Sequence, residues 1–99
     1  MDDLQHHFIK HLLHHQGSAD ELVDKVTRSA GSDSQRHRQT MLEWIENLVK
    51  AGHLSKDTNG ITAEEASRLQ FEQMMVERRW DIAAVRDPRM WELFPYNRQ

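Results

Sequence analysis

At 99 residues and 11.7 kDa the chain has room for one hydrophobic core and not two. Apolar residues make up 37%, and a net charge of −3 with a pI near 6.1 excludes a strongly basic nucleic-acid coat and a polybasic membrane anchor. The absence of cysteine excludes a disulfide scaffold, a thiolate zinc site and a Cys nucleophile, and no apolar run approaches the roughly 18 residues of a membrane span.

Gly17, Gly31, Gly52 and Gly60 cut the first sixty residues into pieces of about helix length. From Asp2 to Gln16, Leu4, Phe8 and Leu12 recur every four residues with Ile9 and Leu13 beside them, which predicts a first helix closed by Gly17. Ser18-Ala19-Asp20-Glu21 reads as a capping box, with Ser18 as N-cap and Glu21 three residues on. It opens a second helix with Leu22, Val23 and Val26 inward, ending at Ala30-Gly31. A second box, Ser32 to Gln35, opens a longer third helix whose inward stripe is Met41, Leu42, Ile45, Leu48 and Val49. Gly52 stops it.

Beyond Gly52 the period changes. His53 to Lys56 and Ile61-Thr62 flank Asp57-Thr58-Asn59-Gly60, and Asn-Gly between short apolar runs is a strong hairpin signal. Thr62-Ala63-Glu64-Glu65 reads as a third capping box for a fourth helix through Leu69, Phe71, Met74, Met75 and Val76 toward Trp80. That helix is apolar on more than one side, so it is expected to bury against two surfaces. Met90, Trp91, Leu93, Phe94 and Tyr96 then crowd seven positions around Pro95, and such a surface is expected to fold back or to dock.

Three helices and a hairpin, with Leu48-Val49-Lys50-Ala51-Gly52-His53-Leu54 running into Asn59-Gly60-Ile61-Thr62, resemble the winged helix-turn-helix superfamily. The resemblance covers about two thirds of the chain and implies a mostly helical α+β fold. It divides the chain into a winged-helix domain over 1–65 and a C-terminal helix with an aromatic tail over 66–99. It also implies a DNA-binding transcriptional regulator whose third helix enters the major groove while the wing touches phosphates. Carried onto this sequence, the DNA-contacting residues are Arg36, His37, Arg38 and Gln39 on the third helix and Lys56 on the wing. A guanidinium can fork onto guanine and an amide onto adenine. Charge departs from the pattern, because residues 1–60 hold seven Lys and Arg against nine Asp and Glu, with Glu43 and Glu46 on the same helix and Asp57 at the wing tip.

Winged-helix regulators often dimerise through a C-terminal helix, so the resemblance and the composition together put a homodimer or partner interface on Phe71, Met74, Met75, Trp80, Trp91, Leu93, Phe94 and Tyr96. The alternative from a different class is a protein-interaction adaptor that grips its partner through the winged-helix surface or this tail, without DNA. Five histidines lie within ten residues, His6, His7, His11, His14 and His15. His7, His11 and His15 follow at one-turn spacing, but a third ligand about 6 Å further along the axis strains a single tetrahedral site. They read as a polar or pH-responsive helix face, and no metal or cofactor is expected. Glu64/Glu65 and Asp2/Asp3 suit helix starts, and no phosphate-binding glycine loop or marked nucleophile points to an enzyme. With no basic leader before an apolar run, the expected address is the cytoplasm.

Overall fold

A computed structural model of the chain describes residues 3–31, 35–77 and 90–95. Among these, α1 spans Asp3–Leu12, α2 Ala19–Ala30, α3 Gln35–Lys50 and α4 Glu65–Glu77. Strands β1 (Leu54–Asp57) and β2 (Gly60–Ala63) form an antiparallel hairpin between α3 and α4, and a 3-10 turn covers Met90–Leu93. The chain is therefore a small, mostly helical α+β protein whose element order is compatible with a winged-helix layout.

Local chemistry sets the boundaries. Ser18 sits in extended backbone and its Oγ accepts from the Glu21 N–H at 3.2 Å, as the capping box requires. Asp20 and Glu21 add favourable charge to the first turn of α2, and Gly31 closes that helix with its N–H on Thr27 O. At the end of α3, His53 N–H bonds to Leu48 O and Gly52 N–H to Val49 O, the paired bonds of a Schellman motif. Gly52 occupies the left-handed position at φ +85°, where a side chain would be strained. The hairpin pairs Leu54 with Ala63 and Asp57 with Gly60, leaving Thr58-Asn59 as a two-residue loop. Asp57 Oδ1 accepts the Asn59 N–H at 2.8 Å, so this carboxylate is used to make the turn.

Two expected boundaries move. The first helix stops at Leu12, and Gly17 does not cap it; Gly17 O instead accepts the Ile61 N–H at 2.8 Å, adding an antiparallel bridge to the outer side of β2. Leu13 to Gln16 make the connection, with the backbone N–H groups of Leu13 and His15 still bonded into the last turn of α1. Thr62 is not an N-cap, because β2 continues to Ala63 and α4 begins at Glu65. Glu64 O accepts the first α4 bonds, from Ser67 and Arg68, and Glu64 N–H is held by His53 O. The second expected capping box falls on residues 32–34, outside the described part.

One core joins all of this. Phe8, Leu12, Leu22, Val26, Met41, Trp44, Ile45 and Leu48 are buried between the first three helices, with Leu54 and Ile61 from the hairpin, Phe71 from α4 and Phe94 from the tail. The third-helix stripe differs from expectation at its edges: Trp44 is fully buried, while Leu42 and Val49 are only partly so. Among the described side chains of α4, Ser67, Gln70 and Phe71 are buried and Leu69 is 61% exposed. Ser67 faces inward because His53, buried at the α3–β1 junction, shares a 2.7 Å hydrogen bond between Nδ1 and Ser67 Oγ. This hydrogen bond helps to satisfy two polar groups that the fold takes out of water.

Candidate functional site

The buried stripe of α3 fixes which side chains face away from the molecule. With Met41, Ile45 and Leu48 inward, Gln35, Arg36, Gln39, Glu43, Glu46 and Lys50 are exposed. Arg36 and Gln39 therefore stand in one line on the N-terminal half of this helix. His37 and Arg38 lie to the side and are half-buried. Arg38 Nη1 is 2.7 Å from Asp24 Oδ1 of α2, with the two side chains 28% and 52% exposed. Lys56, on β1, faces Glu46 Oε1 of α3 at 3.5 Å.

The face is thus mixed rather than basic. Asp24 and Glu46 pair with two of the expected cationic residues, and sequence spacing does not signal either pairing, because the first crosses from α2 to α3 and the second from α3 to the hairpin. The Lys56–Glu46 pair is solvent-exposed on both sides, and such pairs are worth about 0–1 kcal/mol. An open cleft of about 400 Å³ separates the β-hairpin from the start of α2, with Ser18, Glu21, Lys56, Asp57 and Asn59 in its walls.

Three of the histidines, His7 and His11 of α1 and His15 just past its end, lie along the side that faces α2. His7 Nδ1 lies 3.1 Å from Ser29 Oγ. His15 is buried, its Nε2 donating to Ser18 O at 2.8 Å, which leaves Nδ1 as acceptor toward Lys25 Nζ at 3.5 Å. Between them, His11 Nε2 is buried without a hydrogen-bond partner. Desolvation first, then the positive fields of Lys10, His7, Lys25 and His15, hold the His11 pKa below its ordinary value of 6.5. Among the described residues no group of three or more His, Cys, Asp or Glu is placed to hold a metal ion.

Of the eight residues expected to form a dimer or partner interface, Phe71, Leu93 and Phe94 have described side chains. Phe71 is fully buried, its ring edge-on to His53, and Phe94 is fully buried against Phe8 and Trp44. Leu93 packs partly buried against the same core. In the single chain these three therefore pack inward, Leu93 and Phe94 where residues 90–95 lie against the core. The side chains of Met74, Met75 and Trp91, and the whole of Trp80 and Tyr96, lie outside the described part.

Three side chains hold this tail: Trp44, expected at the edge of the α3 stripe, and Gln5 and Asn47, which periodicity does not single out. Gln5 Nε2 on α1 donates to Phe94 O at 2.9 Å, and Asn47 Nδ2 on α3 donates to Leu93 O at 3.1 Å. Trp44 Nε1 donates to Pro95 O at 2.6 Å. A polar residue beside an apolar stripe was the available signal, but it marks any helix edge equally well. No known protein family, curated protein or solved structure matches this chain.

Proposed function

We propose that this protein is a winged-helix DNA-binding domain acting as a homodimeric transcriptional regulator, with α3 as the recognition helix. The observation that carries the reading is the outward placement of Arg36 and Gln39, two base-edge readers in line on the N-terminal half of a helix whose opposite face is core. Arg38 and Lys56 flank that line and turn to phosphates, leaving Asp24 and Glu46 to water. His37 lies beside them.

Binding to a random-sequence duplex library, followed by titration of an enriched duplex, tests this. Arg36→Ala should relax preference at one base pair and cost about 1–3 kcal/mol. Lys56→Ala should weaken every duplex alike and reduce the salt slope by about one. The compensated charges favour one second reading, an adaptor that binds a protein through the same face. In that case the wild-type chain binds no duplex at about 100 mM salt, and the DNA reading falls.

A further inference from the structure

The tail contact has the chemistry of linear-peptide recognition. Gln5, Trp44 and Asn47 come from two helices, and their three donors meet the main-chain carbonyls of three consecutive residues, Leu93, Phe94 and Pro95. Carbonyl oxygens are common to every peptide, so these bonds give affinity and register without reading side chains. Selectivity comes from one pocket. Phe94, 1% exposed, enters an aromatic cage with its ring centroid 6.0 Å from Phe8 and 5.8 Å from Trp44, both edge-to-face. Leu93 adds apolar contact, and Pro95, which has no N–H, presents only the acceptor that Trp44 satisfies.

We propose that the groove between α1 and α3 is a peptide-binding site selective for Leu-Phe-Pro, filled by this chain's own tail and able to take the same segment from a second copy. The occupant is argued from what already sits there: a second copy carries the identical Leu93-Phe94-Pro95. Nothing in chain length confines the tail to its own groove. Residues 78–89 supply a contour of about 40 Å at roughly 3.3 Å per residue, longer than the 34 Å long dimension of the molecule. The same contacts form in either arrangement, which makes exchange between identical chains a low-cost route to association. This inference goes beyond the DNA reading and does not rest on it.

The test uses the full-length chain and a fluorescein-labelled peptide of residues 87–99, which stands in for the tail of a second copy. Anisotropy should report binding to full-length Phe94→Ala at least about tenfold tighter than to wild type, because the wild-type tail competes from a tethered concentration near the millimolar range. Adding Gln5→Leu and Asn47→Leu to that variant should abolish the gain. A folded Phe94→Ala chain that binds the peptide no better than wild type overturns the proposal, as does equal binding of a peptide with Leu-Phe-Pro scrambled. Where Phe94→Ala does not fold alone, the peptide supplied in trans should restore its helical circular dichroism, and failure to do so also overturns the site.

Discussion

Ile45 and Leu42 sit on one stripe of α3 by periodicity, yet the fold treats them differently. Ile45 is 2% exposed and enclosed by the core, whereas Leu42 packs at its edge. Ile45→Ala should therefore cost about 2–5 kcal/mol in a urea titration, and Leu42→Ala clearly less, because a partly exposed site loses less transfer energy and leaves no closed cavity. Equal losses would mean that α3 is rotated. Trp44 makes the same point in reverse, since spacing places it at the stripe's edge and the tail, arriving from fifty residues away, buries it. His11 yields a prediction of a different kind. Its folded-state pKa lies below 6.5, first by desolvation and then by neighbouring positive charge, so the unfolded chain binds more protons as the pH falls below that value. The contribution to stability is thus present above about pH 6.5 and is lost on acidification. Thermal melts across pH 7.5 to 5 should show a smaller loss for His11→Gln than for wild type, and parallel curves would remove His11 as a source of the pH dependence.

Element by element, the features legible in the sequence were those written locally. The Ser18 cap, the Gly31 and Gly52 terminations and the Asp57–Gly60 turn each rest on a few adjacent residues, and each forms. What could not be read depends on partners distant in sequence: the Gly17–Ile61 bridge, the inward turn of Ser67 toward His53, and the pairing of Arg38 with Asp24. Thr62 shows the competition directly, because a good N-cap residue is taken into the ladder opposite Ser55 once β2 continues. The same distinction predicts unequal costs at two glycines. A methyl group at Gly52 meets nothing within 4 Å, so Gly52→Ala is penalised only by its left-handed backbone, about 1–2 kcal/mol. At Gly60, φ is +126° and a Cβ would stand 1.9 Å from Gly17 O, against rigid backbone. Gly60→Ala should cost more than Gly52→Ala in the same denaturant titration, because it adds loss of the bridge to strain. A smaller cost at Gly60 would show that the Gly17 connection yields freely.

For the molecule as a whole, the tail decides how large the cooperative unit is. Phe94 belongs to the same buried cluster as Phe8 and Trp44, and three side-chain donors fix the backbone around it. Truncating a buried Phe to Ala costs about 3–5 kcal/mol, a large part of the roughly 5–15 kcal/mol that holds a domain of this size together. Phe94→Ala should therefore lower the urea midpoint strongly. It should also lower the slope of stability against urea, because a tail already released exposes less new surface when the rest unfolds. A lowered midpoint with an unchanged slope would mean that the tail stays docked through its carbonyl bonds alone. Concentration then separates the two ways of filling the groove. A tail bound within its own chain gives wild-type melting temperatures that do not change over a hundredfold range of protein concentration. A tail exchanged between copies ties melting to mass action, so the midpoint rises with concentration, and Phe94→Ala removes that rise together with the contact that caused it.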